Sequence, residues 1–258
     1  MNGVDSIPGF VAADWPAPVG VHGLCTTRRG GTSQAPFDSL NLGDHMGDDP
    51  QAVARNRLAV ERALKLPRTP VWLQQVHGVR AVDAGTPESA LAETPICADA
   101  SVAHRPGAVC VVMTADCLPV LFCDRAGHHV GAAHAGWRGL AAGVLERTVA
   151  AMGVPAADLL AWMGPAIGPD AFEVGDEVRA EFIRTDPQAA EAFRPGAQAG
   201  KWMADLYTLA RQRLQRAGVE AVSGGGFCTF SDERRFFSYR RDGTTGRMAS
   251  LAWIDAGN

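Results

Sequence analysis

The sequence predicts one domain of mixed α and β structure, a layered sandwich of sheets and helices spanning residues 1–258. Three observations carry this. Several short apolar runs are too brief for helices and show no polar alternation, as strands buried on both faces should. Longer segments with helical spacing lie between them. The 258 residues contain no internal repeat, coiled coil, linker or charged tail, and their 47% hydrophobic content is enough for a full core.

The first helix is expected over residues 48–66. Asp48 or Asp49 caps it, Pro50 lies in its first turn, Val53, Leu58, Val60, Leu64 and Leu66 form its apolar stripe, and Pro67 stops it. Strands are expected at Val71–Val76, Val79–Val82, Val109–Thr114, Pro119–Cys123 and Val130–Ala133. A helix follows at Leu140–Met152, ended by Gly153, and then a strand at Leu159–Met163 that runs into the turn-rich GPAIGP of 164–169. Val174–Arg184 and Met203–Ala217 read as helices. The tail, from Glu220 through GGGFCTF to Leu251–Ile254, reads as strands and turns.

Charge excludes some functions. With 28 acidic and 24 basic residues the net charge is −4, which gives no footprint for nucleic acid or an anionic membrane surface. The most apolar run, 107–123, is interrupted by Asp116 and Pro119 and is shorter than the roughly 20 residues a spanning helix needs. Asp5, Pro8 and Asp14 break any secretion-type leader, so a cytoplasmic protein is expected. Six sparse cysteines in such a chain read as thiols, for packing or metal binding, rather than disulfides.

Three segments place metal-type ligands beside turns at strand ends: QVHG around His77, ADCLP around Cys117, and HAGWRG beginning at His134. Two imidazoles and one thiolate suit a zinc site whose fourth position stays open. Spacing alone leaves an alternative, because no CxxC, HxH or HExxH sets two ligands locally. A buried cysteine can be core packing, and a histidine before glycine can be a turn residue.

Taken in order, CTTRRGGTSQAPFDSLNLGDHMGDDPQAVARNR, WLQQVHG, TADCLPVLF, HAGWRG, MGPAIGPDAFEVGDEV and FFSYRRDGTTGRMASLAW closely resemble the YfiH-type laccase-domain family, from about Cys25 to Trp253. The resemblance implies a single α/β domain whose cleft binds zinc through His77, Cys117 and His134. It also implies purine nucleosides and phosphate as substrates, chiefly in phosphorolysis, with adenosine deamination alongside. Older family naming implies a copper polyphenol oxidoreductase, and some members are described as editing peptidoglycan precursors, which would make the protein an amidohydrolase. Copper is thus the alternative to zinc, with Met113 as a possible weak axial partner. The sequence does not name a protein partner.

Phosphorolysis requires an anion receptor, for which arginine's planar fork is suited. Arg28 and Arg138 are the leading candidates and Arg247 a further one, whereas Arg29, Arg234, Arg235, Arg240 and Arg241 read as a solvated or ion-paired face. Asn41 and Asp44 either bind ribose hydroxyls or build an Asx turn. Asp116 either orients a metal-bound water or a neighbouring histidine, or points away from Cys117. Glu173 is either a proton donor to the purine or a charge in the first turn of the next helix. His128 and His129 read as surface turn residues, and His22, His45 and His104 lack ligand-spaced partners. Cys110 and Cys123 read as core, Cys228 as a packed cleft residue or a catalytic thiol, and Trp137 as structural or as an aromatic wall for the purine.

Overall fold

The computed structural model describes residues 9–86, 89 and 94–256, so Asp5 and Pro8 of the leader reading lie outside the described residues. Two sheets form its centre. One has four strands in the order Phe10–Ala12, Val21–Thr26, Met248–Ile254 and Val109–Thr114, all antiparallel. The other has six, in the order Ala221–Gly224, Leu159–Met163, Leu118–Asp124, Val130–Ala135, Ala100–Ala103 and Ala81–Asp83. Its two outer pairings are parallel and the inner ones antiparallel. Three- and two-stranded sheets complete the fold.

Strand periodicity explains the layering. Val109 and Val111 face a cluster with Val60 and Leu64 of the first helix, while Cys110 and Val112 face the space between the sheets. In the larger sheet Leu121, Cys123, Leu160 and Trp162 meet that same space, and Val120, Phe122, Ala161 and Met163 point outward to helices carrying Leu140, Leu145, Leu206 and Leu209. The order is therefore helix, sheet, sheet, helices. Every residue of Val109–Thr114, Leu118–Asp124 and Val130–Ala135 is buried. That is why these strands read as unbroken apolar runs.

The helices follow their caps. Pro50–Leu64 begins where Asp49 accepts from Gln51 N, and it ends at left-handed Lys65, two residues before Pro67. The expected helix at Leu140–Met152 is two helices, Trp137–Ala142 and Val144–Ala151, divided at Gly143 with φ 100°. The expected helix over Val174–Arg184 starts later, at Asp176, because Glu173–Gly175 pairs with Lys201–Ala204 as a strand. The expected helix over Met203–Ala217 likewise starts at Leu206, where Asp205 accepts from Tyr207 N and Thr208 N; such a cap contributes about 1 kcal/mol. Val71–Val76 contracts to Leu73–Gln74, and Val79–Val82 shifts to Ala81–Asp83. Phe10–Ala12, Val21–Thr26 and Ala100–Ala103 are strands absent from the sequence reading. Among the described residues no helix is long and apolar enough to cross a membrane.

Candidate metal centre

Sheet register brings two of the three candidate ligands together. Leu118 pairs with Ala135 and Pro119 with His134, so Cys117, one step beyond the strand, lies beside the HAGWRG turn. The third, His77, follows the short strand Leu73–Gln74 with a left-handed backbone, φ 60°. Cys117 Sγ and His77 Nε2 are 3.7 Å apart, the His77 and His134 ring centroids are 4.8 Å apart, and ligand atoms of all three residues lie within 4.8 Å of one another. Tetrahedral zinc at about 2.3 Å from sulfur and about 2.05 Å from nitrogen spaces its ligands by about 3.4–3.6 Å, so the donor set fits one small divalent ion. Gly136 makes room for them, since a Cβ there would sit 2.6 Å from His77 Cδ2 and 2.9 Å from Cys117 Sγ.

The electrostatics favour a thiolate. Burial opposes ionisation of Cys117, yet the charge and hydrogen bonds of His134 and His77 outweigh it and bring its pKa down to about 6. Burial likewise opposes protonation of His134, but the Cys117 charge and hydrogen bonds to Asp99 and Cys117 raise it to about 9. Without a metal each group therefore favours the charged form of the other, thiolate beside imidazolium. Cys25, Cys110 and Cys123, pushed up to about 12 by burial, are inert core thiols.

The site is supported by residues that sequence reading missed. Asp99, fully buried, accepts from His134 Nδ1 and from three consecutive backbone N–H groups, those of Val76, His77 and Gly78. Gln75 ties the same turn to the four-stranded sheet through Met113, donating to its carbonyl and accepting from its N–H, both at 2.7 Å. Among the described residues the non-glycine positions with positive φ are Lys65, His77 and Asp116, so two of the three are at this centre.

The ligands open into a cavity of about 400 Å³, within the range of small-molecule sites. Trp137, Ile167, Phe172, Leu206 and Tyr239 give it apolar walls, while His45, Asp116, Arg138, Arg240 and Arg247 give it polar ones. Among the described residues the Arg247 guanidinium donates to the carbonyls of Thr245 and Gly246 and to no other acceptor. Burial lowers its pKa against the opposing charges of Cys117, Asp116 and Tyr239. Arg138 is exposed and stacks on Trp137 at 4.4 Å.

Four sequence readings need correction. Arg28 does not line the cavity: it packs over Phe237 and donates to the carbonyls of Asp38 and Glu233. Asn41 is fully buried in an Asx-type turn, accepting from Gly43 N and Arg247 N and donating to Gly43 O and Asp48, so it has no free group for a ribose. Glu173 is an exposed strand residue that does not line the cavity; its strand pairs with Lys201–Ala204, and its carbonyl accepts from Arg240 Nη1. Asp116 does line the cavity but does not orient a histidine, because its oxygens accept from Thr229 Oγ1 and Arg240 N and the carboxylate on His134 is Asp99.

Arg240 and His45, read as bland, face the cavity instead; no local signal separates them from their surface neighbours. Asp44 pairs with Arg57 at 3.3 Å, and Met113 sulfur lies 4.0 Å from Arg57 Nη2. Cys228 does not line the cavity, and its sulfur accepts from Gly168 N and Ser231 Oγ.

This open His–Cys–His cluster in an α/β sandwich defines a class of protein with a donor set that could hold a metal ion, and comparison with known proteins gives the family. The chain belongs to the family described as multi-copper polyphenol oxidoreductase laccase, matched over residues 22–255. It is 58% identical over 245 residues to Purine nucleoside phosphorylase PA4543 of Pseudomonas aeruginosa, covering 95% of this chain and 98% of that one. It is 54% identical over 247 residues to Purine nucleoside phosphorylase YfiH of Escherichia coli, with 95% and 98% coverage. The crystal structure of Neisseria meningitidis protein NMB0706 superposes with a TM-score of 0.91 at 56% identity, covering 96% and 100%. That of YlmD from Geobacillus stearothermophilus gives 0.89 at 32% identity, covering 96% and 97%. The YfiH-type resemblance read from the sequence segments is borne out.

Proposed function

We propose that this chain is a zinc-dependent purine nucleoside phosphorylase whose zinc is held by His77, Cys117 and His134. The observation that carries the proposal is a three-ligand cluster opening into a nucleoside-sized cavity beside Arg247, a half-buried guanidinium with no carboxylate in ion-pairing reach among the described residues. The relatives' names support the same reading.

When bound, zinc supplies positive charge and Lewis acidity at the cavity floor. The chain's own residues do the rest. Arg247, whose Nε and Nη2 have no acceptor among the described residues, and Arg138 at the rim bind the phosphate dianion as a bidentate partner would. Trp137, Phe172 and Tyr239 enclose the purine and exclude water while phosphate oxygen bonds to the sugar C1′ and the bond to the purine nitrogen breaks. Asp116, fixed by Thr229 and the Arg240 N–H, offers its remaining lone pairs to a purine N–H. Adenosine deamination, copper oxidase chemistry and muropeptide hydrolysis are separate outcomes of one assay.

Purified protein is incubated with adenosine and phosphate, with a muropeptide, and, after copper loading, with a phenol. Ribose 1-phosphate and adenine are expected. Cys117→Ala is expected to lose both the metal and the reaction. Inosine alone, phenol turnover with intense visible absorption, or muropeptide cleavage without ribose 1-phosphate would replace the reading. Stoichiometric zinc retained in Cys117→Ala would remove the ligand assignment.

A further inference from the structure

We infer that Asp99 is a positioning residue that fixes two of the three ligands at once, setting the tautomer of His134 and the backbone of His77, so that the affinity of the metal centre depends on this one carboxylate. The inference rests on the metal reading above. Its basis is the division of labour between the two oxygens. Oδ1 accepts from His77 N at 2.8 Å and from His134 Nδ1 at 2.9 Å. Oδ2 accepts from Gly78 N at 2.7 Å and Val76 N at 3.2 Å. The Asp99 carbonyl also accepts from His134 N at 2.7 Å, fixing the strand that carries the ligand.

Two consequences follow from the chemistry. A His134 that donates from Nδ1 to a carboxylate keeps its Nε2 lone pair for the ion, the arrangement in which a carboxylate orients a metal-bound imidazole. Outside a helix N-terminus, three successive N–H groups converge on one anion where the backbone makes a concave turn containing a left-handed residue, an anion nest. Here the nest encloses the protein's own Asp99, which accounts for the positive φ of His77. The buried charge and the strained turn thus stabilise each other, and the product of that pairing is a fixed backbone at His77, from which its side chain reaches the site.

Asp99→Asn disrupts this however the amide is oriented. With nitrogen in place of Oδ1, the amide faces two N–H donors, and His134 can accept from it only by moving its proton to Nε2, which closes that nitrogen to a metal. With nitrogen in place of Oδ2, the N–H groups of Val76 and Gly78 lose their acceptor and the His77 turn relaxes.

The test compares zinc dissociation constants, measured by chelator competition, for the wild type, Asp99→Asn and a matched control, Asp124→Asn. Asp124 is also a buried carboxylate, accepting from His128 N, His129 N and His129 Nδ1, but it lies at the opposite end of its strand from Cys117. Asp99→Asn is expected to bind zinc 10- to 100-fold more weakly, while Asp124→Asn loses stability without losing affinity. Equal affinity in Asp99→Asn and the wild type, or an equal loss in both variants, overturns the inference. Should Asp99→Asn not fold, imidazole ¹⁵N spectra of the zinc-loaded wild type decide, with a protonated Nδ1 and a ligating Nε2 expected for His134 and the reverse assignment overturning it. A wild type that binds no metal refutes the metal reading itself.

Discussion

Gly136→Ala is the sharpest perturbation of the centre because it adds one methyl and leaves the backbone alone. Gly136 has φ −62° and ψ 155°, an extended conformation that alanine adopts without strain. Its new Cβ would lie 2.6 Å from His77 Cδ2 and 2.9 Å from Cys117 Sγ. Relaxed contacts between such atoms begin at about 3.5 Å, so the two ligands must separate from the methyl by roughly 0.6–0.9 Å. Metal bonds tolerate only about 0.2 Å. We expect zinc to bind about 100-fold more weakly, about 2.7 kcal/mol. The metal-free protein should lose only about 1 kcal/mol, the low end for overpacking, because the exposed His77 can swing outward. Chelator competition gives the affinity, and the zinc-dependent rise in Tm, which follows from binding to the folded state alone, should shrink in parallel. Wild-type affinity in Gly136→Ala would refute the shared position of the ligands.

In metal-free protein carrying Cys97→Ser, which removes an exposed thiol, alkylation of Cys117 should rise with a midpoint near pH 6, as its lowered pKa requires, where an ordinary thiol would titrate near 9.0; peptide mapping checks it, and zinc should abolish the reaction. The sign is fixed: the thiolate exists above about 6 and is lost as pH falls through it. Arg28→Met should lower stability by about 0.5–1.5 kcal/mol, since it gives up hydrogen bonds to the carbonyls of the exposed Asp38 and Glu233, with the KM for phosphate unchanged. Arg247→Met should raise the KM for phosphate at least tenfold and also lower Tm, since it gives up the hydrogen bonds to the carbonyls of Thr245 and Gly246; steady-state kinetics, in which this variant alone changes the KM, separates the two.

Much of this was legible in the sequence. Val109–Thr114 and Leu159–Met163 have the predicted bounds, because a strand buried on both faces must be apolar at every position and so writes itself into composition. The cap at Asp49 and the candidate ligands His77, Cys117 and His134 were equally visible, as their chemistry belongs to residue type and to the turn beside each. Val21–Thr26 was not, since His22 and Gly23 interrupt its apolar pattern, and pairing on both sides, to Phe10–Ala12 and Met248–Ile254, supplies what local preference lacks. Nor could the sequence choose among arginines. Arg28 and Arg247 each lie beside glycine or threonine, yet packing spends the first on the carbonyls of a distant loop and turns the second into the cavity. Asp99 gave no signal, because its importance arises only when a strand and a turn 21 to 35 residues away converge on its two oxygens. Residue chemistry and periodicity are properties of a few neighbouring positions and survive in the linear chain, whereas the pairing of a charge with its donors depends on sheet register and burial, which exist only once the layers have packed.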